Sequence, residues 1–444
     1  MVRRPQLLIA ICVCGVATAT GAVLVLNAPK DTYERPAPPP PVGAYLHGGA
    51  PLRDAAIERA LSEELPPLVA QAALLREGDH RADDAARKQL LATLDHDPAF
   101  ASHGPALASS WHEMLGALDH WMVLTPTDHD FLPAGQELRA RIDAVSDQFA
   151  AAELAYYIDP EIVSDPQPRS RPGIFAYRVE DVAFVRSNDR ASVRVLEARK
   201  LGDGHSGQRL GMNEDELADP IVLLDAVDAK VQNQILPVLA GDTFGIADSE
   251  WAYSTRGRQA EAAATVAIRD ELLAALYTDA QDPTTASGRT RDLIATSVRH
   301  HEAQHKIDRD RSLRYPPELS TRLGDKKNDP FAVRSRYELS AYLSQIASDT
   351  WLPQLTLWNL VRHGFHKGAR REESYVAVVV VEGLSRQLGL PTVGAIVKRD
   401  GSIDRDRLAE LAMPLARKST AELRSAAAKV WADLFGEPLV RLYD

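Results

Sequence analysis

Cysteine is almost absent. Cys12 and Cys14 are the only two in 444 residues, and both lie in an apolar stretch near the start. Residues 30 to 444 therefore offer no thiol for a disulfide or a zinc ligand, so any metal site there must be built from His, Asp and Glu. Aromatic residues are few, at 6%, which suits an Ala- and Leu-rich helical chain better than a β-sandwich. Positive charge is not in excess: the net charge is -11, and no extended positive field of the kind phosphate backbones require can arise from it. Nucleic acid is not an expected partner. No internal repeat is present.

What is present begins with Arg3 and Arg4, followed by the uncharged run Leu7 to Leu26. At about 1.5 Å per residue such a run spans roughly 30 Å, the thickness of a hydrocarbon core. It continues past Ala17-Thr18-Ala19, a small-x-small cleavage pattern, which favours an uncleaved signal anchor in residues 1–30 over a cleaved signal peptide. Arg3 and Arg4 would stay cytoplasmic, so the expected location is a body in the periplasm or outside the cell, anchored to the membrane by one span, or secreted if the segment is cleaved. Ile11 and Val13 precede the cysteines where a lipid anchor needs a small residue. Pro36 and Pro38 to Pro41 make residues 31–44 a stiff, extended linker.

Residues 45–165 read as a helical N-terminal region, with stretches such as "LRDAAIERALSEELPPLVAQAALL" broken by Pro and Asp. Beyond it, "IFAYRVEDVAFVRS" and "ASVRVLEARKL" alternate and are β-branched, and "NDR" joins them as one antiparallel hairpin. Helical spacing then returns. Five valines in "YVAVVVVEGLSRQLGLP" favour a strand, but its length and Gly389 favour a buried helix. Ser419-Thr420-Ala421-Glu422 is a capping box opening a last helix, which Gly436 stops. The expected class is mainly α with a small β hairpin or sheet.

"SVRHHEAQHKID" contains His301-Glu302-Ala303-Gln304-His305. Chance would place an H-E-x-x-H in a chain of this composition about 0.03 times, so coincidence is disfavoured. Ile294, Val298, His301 and His305 follow one another at steps of four, three and four, placing both imidazoles on the apolar face of an amphipathic helix. Two histidines at i and i+4 present ring nitrogens to one point, and Glu302 sits about 100° round the helix, within reach of a water between them. The competing reading is a set of satisfied core polar residues, and it must explain why a structural helix buries two histidines beside a glutamate.

In these residues the chain resembles the H-E-x-x-H zinc metallopeptidases, the zincins. The metzincin branch needs a glycine and a histidine where Asp308 and Arg311 stand. The gluzincin branch takes its third ligand from a glutamate on a later helix, and "DPFAVRSRYELSAYLSQIASDTW" is similar to that helix: Asp329-Pro330 starts it, and Glu338, Ala341, Tyr342 and Gln345 share a face. The resemblance covers about residues 290 to 350. It implies a zincin-like catalytic domain in residues 166–444 binding one Zn²⁺ through His301, His305 and Glu338. It further implies Glu302 as general base, and a peptide or protein as substrate. Asp308, Glu372, Glu373 and Glu382 compete with Glu338 for the third position, Asp308 being better suited to orient an imidazole. Tyr342, His363 or His366 would stabilise the oxyanion. The hairpin would supply an edge strand for an extended peptide. The alternative is a membrane-anchored scaffold or binding protein with a structural or vestigial zinc site.

Other signals are weaker. "GDGHSG", Gly202 to Gly207, matches a dinucleotide fingerprint but lacks the helix and β-α-β unit around it, and reads as a turn. His112-Glu113 has Gly116 where a second histidine should stand, and reads as an ordinary helical His-Glu pair.

Overall fold

Capping side chains stand where the helices begin. Asp329 accepts the N–H of Phe331 and Pro330 occupies the first turn of Pro330–Ser348, the glutamate helix. Asp404 caps Arg405–Leu415. Ser419 and Glu422 form the reciprocal capping box that opens Thr420–Phe435, and Gly436, at φ 80°, ends it. The computed structural model describes residues 37–76, 83–125, 127–159, 174–189, 191–202, 210–212, 217–244, 254–276, 283–311, 313–323, 329–349, 352–366 and 372–444. The architecture is mainly α-helical with a small mixed sheet, as the composition predicts.

Residues Pro39–Asp444 form one unit. Its N-terminal helices, chiefly Leu65–Arg76, Pro105–Val123 and Phe131–Ala151, close over a core in which Phe100 stacks on Trp111 at 4.0 Å between ring centres. Phe149 meets Tyr156 edge-on in the same core. The boundary expected between 165 and 166 lies outside the described residues.

The sheet holds more than the one hairpin that alternation predicts. Its strands are β1 (Tyr156–Ile158), β2 (Ala176–Ser187), β3 (Ser192–Lys200), β4 (Gly211–Met212), β5 (Ile221–Leu223) and β6 (Leu442–Tyr443), in the order β1-β2-β3-β5-β4 with β6 also on β2. β2 and β3 are the expected antiparallel pair, with a bulge between Val179 and Asp181. The other four strands are two or three residues long, too short to display a period of two. The hairpin therefore lies inside the sheet, with β1 and β6 beside β2 and β5 beside β3. Among the described residues β4 ends the sheet on the side of β5, and β1 ends it on the side of β2.

The motif helix, Pro283–Asp310, packs under β3, β5 and β4 and crosses the glutamate helix. The valine-rich stretch is helical, Glu372–Gln387, with Val376 and Val378 to Val381 all buried. Burial on every side explains the missing polar face.

The expected membrane anchoring is overturned on the described residues: no helix among them is long and apolar enough to cross a membrane. The motif helix has the length but carries charges along it, and Glu372–Gln387 is apolar but has only 16 residues. Leu7 to Leu26, where the span is expected, and the linker up to Pro36 lie outside the described residues.

Gly383 lies at a tight helix crossing in the core. A Cβ there would stand 2.7 Å from Cγ1 of Val430 on Thr420–Phe435. Alanine is the better helix former by about 1 kcal/mol, but overpacking a tight crossing costs roughly 1–3 kcal/mol. Gly383→Ala should therefore lower unfolding free energy in urea, by up to roughly 2 kcal/mol. A stabilised variant would mean that the crossing is loose.

Candidate metal centre

His301 and His305 stand one turn apart on the motif helix because Ile294, Val298, Ala303 and Ile307 bury its apolar side in the main core. Their Nε2 atoms lie 3.1 Å apart. Glu338 reaches both from the glutamate helix, Oε2 at 3.5 Å from His301 Nε2 and Oε1 at 3.6 Å from His305 Nε2. Among the described residues this is the one group of three or more His, Cys, Asp or Glu side chains spaced to hold a metal ion, its ligand atoms all within 4.8 Å of one another. The donor set of two imidazoles and one carboxylate suits Zn²⁺.

A second ring of bonds fixes the His301 imidazole. Gln345 donates through Nε2 to the Ser297 carbonyl at 3.0 Å and to Ser297 Oγ at 2.9 Å, which orients its amide. Its Oε1 then faces His301 Nδ1 at 3.2 Å and accepts from it, which turns Nε2 towards Glu338 and His305. Ser297 Oγ in turn donates to Asp349 at 2.7 Å. Tyr342 packs its ring edge-on to His301 at 4.8 Å. The orienting role expected of Asp308 thus belongs to Gln345. Asp308 instead accepts from Gln304 at 2.6 Å and from Ser340, one turn further along both helices.

The electrostatics fit a site built for a cation. Burial pulls the His301 imidazole down, but the hydrogen bond and charge of Glu338, with the charge of Glu302, override it and hold the ring above its ordinary value. Burial and the positive charge of His301 push His305 well down. Glu338 is raised by burial but held low overall by His301, His305 and His363. The Tyr342 hydroxyl is pushed far up by burial and by Glu338, Glu373 and Glu302, so it remains a neutral donor.

Glu302 is buried on the neighbouring face of the motif helix, under β4. Gly211 makes room for it: any Cβ at that position would overlap the Glu302 carboxylate. No sequence pattern marks Gly211 as part of the site, because it lies far upstream of the motif in a two-residue strand.

Among the other expected residues, His363 ends helix Pro353–His363 and its charge acts on Glu338. The His366 carbonyl accepts from Arg405 at 2.8 Å, and His366 is not among the three residues grouped at the cluster. Glu372 pairs with Arg334 at 2.6 Å and Glu382 with Arg322, so neither joins the cluster. Glu373 acts on Tyr342 from a distance. His112 pairs with Asp95 and Glu113 with Arg141, on the surface as expected. All of "GDGHSG" except Gly202 lies outside the described residues. No protein family, curated protein or solved structure matches the chain.

Asp308 gives a stability test separate from the cluster. Burial pushes its carboxyl up to about 7, against the hydrogen bonds from Ser340 and Gln304. The unfolded chain then releases this proton at lower pH than the folded one, so stability falls as pH rises from about 4 to about 7 and stays reduced above it. Asp308→Asn should flatten that slope and raise unfolding free energy at pH 8 by up to roughly 4 kcal/mol, three pKa units at about 1.4 each. An unchanged pH profile of unfolding would place the ionised carboxylate in the native state.

Proposed function

We propose that the chain is a zinc-dependent metallopeptidase of gluzincin type that hydrolyses peptide bonds. The observation that carries the reading is the buried carboxylate of Glu302 next to an imidazole pair whose third partner is Glu338. A structural metal site has no use for a base next to a ligand. His301, His305 and Glu338 would hold the ion, which when bound supplies a Lewis acid that polarises a carbonyl and acidifies water.

The residues of the chain do the remainder. Glu302 accepts the proton of the attacking water and delivers it to the leaving amine. Tyr342 keeps its hydroxyl proton and is a hydrogen-bond donor for the oxyanion, and His363, near Glu338, is the second candidate for that task. Among the described residues β4 is an edge of the sheet and lies beside Glu302, so an extended peptide adding there would lie across the base. The role expected of the β2–β3 hairpin is better suited to β4, because β1 and β6 lie beside β2 and β5 lies beside part of β3.

Two substitutions separate base from ligand. Glu302→Gln should keep zinc near one per chain while turnover of a peptide substrate falls by roughly 10²- to 10⁴-fold. Glu338→Gln should lose zinc first, with activity partly recovered by added metal and thermal stability reduced. Bound zinc in the wild type with no hydrolysis of any peptide would favour a scaffold, and undiminished hydrolysis in Glu302→Gln would remove the mechanism.

Gly211→Val tests the strand over the base. The branched side chain must displace Glu302, so turnover should fall by roughly 10-fold or more through misplacement alone, with zinc content unchanged. Full activity in a folded Gly211→Val protein would detach β4 from the site.

A further inference from the structure

Beyond Glu302 the motif helix carries Lys306 and Asp310 along one face, because residues four apart lie one above another. That face ends on a cavity of about 440 Å³. Tyr45, Phe184 and Pro220 give the cavity apolar walls, and Arg194, Lys306 and Arg311 bring positive charge to it. Two of these cations are already engaged. Arg194 donates to Asp219 at 2.7 Å and to the Tyr45 carbonyl at 2.9 Å, and Arg311 pairs with Asp189. Lys306 is partly buried, and among the described residues it makes no hydrogen bond or ion pair. Asp310, one turn further on, is exposed and does not pair with it. An ammonium in a cavity wall has lost part of its water and has three N–H donors to offer an anion.

The cavity lies close to Glu302 along two separate routes. On the helix, Glu302 to Lys306 is one turn, about 6 Å. On the sheet, Gly211 faces the Glu302 carboxylate and pairs with Val222, while Met212 pairs with Ile221. Pro220, next along, lines the cavity, two residues or about 7 Å from Val222. Both routes run the same way. Arg299 on the helix pairs with Glu197 on β3 at 3.2 Å; from that pair, seven helical residues to Lys306 and three strand residues to Arg194 each cover about 10 Å. Side chains two apart on a strand point to the same face. A peptide lying along the edge of β4 with one side chain above Glu302 therefore carries its next same-face side chain to the cavity.

We infer that this cavity is a specificity subsite in which Lys306 binds a carboxylate of the peptide substrate, two residues along from the bond held over Glu302. The inference rests on the peptidase reading for its substrate. An acidic side chain and the C-terminal carboxylate of a peptide that ends there share the required chemistry.

The test uses the full chain loaded with zinc and peptides that differ by Glu or Gln at one position, moved through the three residues on either side of the cleaved bond. A further pair ends two residues from the bond in a free carboxylate or an amide. In the wild type, kcat/KM should favour the anionic member by about 10-fold at the second residue on one side, the scale of a charge-assisted hydrogen bond, and by less than about 2-fold elsewhere. Whether the internal or the terminal pair responds identifies the source. Lys306→Met should bring the ratio to within about 2-fold, and Lys306→Glu should favour a Lys peptide over its Glu counterpart at that same position. Removing a lysine that has no partner orphans no buried group, so both variants should fold, which thermal melting checks. A ratio near one at every position in the wild type, or a preference that survives Lys306→Met, overturns the subsite. Should no peptide be cleaved, the peptidase reading fails on its own, and equilibrium binding of the same peptides still decides: tighter binding of an anionic member, lost in Lys306→Met, supports the subsite, and equal binding of both members overturns it.

Discussion

The motif helix and the glutamate helix run in opposite directions and meet along a row of buried polar side chains. Ser297 bonds to Gln345 and Asp349, His301 to Gln345, Gln304 to Ser344 at 2.8 Å, and Asp308 to Ser340, to which Trp431 also donates. Apolar packing alone lets two helices slide or turn with modest penalty. A row of paired donors and acceptors does not, because any shift leaves several of them buried without partners. The register it sets is what brings Glu338 to both imidazoles. One residue of rotation, about 100°, would carry the carboxylate away from them.

The other surroundings of the site follow from the same crossing. Once the motif helix is fixed on one side by the glutamate helix, its neighbouring face is left to the sheet, and Glu302 meets β4 there. Helix Pro353–His363 begins at the end of the crossing, where Asp349 accepts the N–H of Leu352, and runs back until His363 acts on Glu338. Buried carboxylates also tie the distant helices together: Glu271 accepts from the Gln354 N–H and from Thr420, near the starts of two helices at once.

The legible part of this structure was the part whose signals are local. The helical histidine pair, the glutamate helix with its Asp-Pro start, the β2–β3 hairpin and the final capping box all show within a few turns or one alternation of sequence. The face shared by Glu338, Tyr342 and Gln345 was equally visible, since a helix period fixes it. The illegible part depends on residues far apart in the chain. Gln345 rather than Asp308 orients His301 because the helices cross antiparallel, a fact no single helix encodes. Strands of two or three residues have too little sequence to declare themselves, so β4 and the contact of Gly211 with Glu302 were beyond reach.

The four-residue spacing of His301 and His305 also bears on how the chain folds. Their imidazoles need only one helical turn between them, whereas Glu338 becomes a neighbour after 33 more residues have been placed. An ion held by the two rings would close a turn that is otherwise costly to nucleate, and so would favour the motif helix before its partner has docked. The carboxylate would then complete the set. Part of the binding energy would thus be available to the incompletely folded chain, and such an ion would add less to equilibrium stability than one bound at a site assembled only in the native state. It would act earlier instead, as a seed for the helix around which the rest of the core is laid.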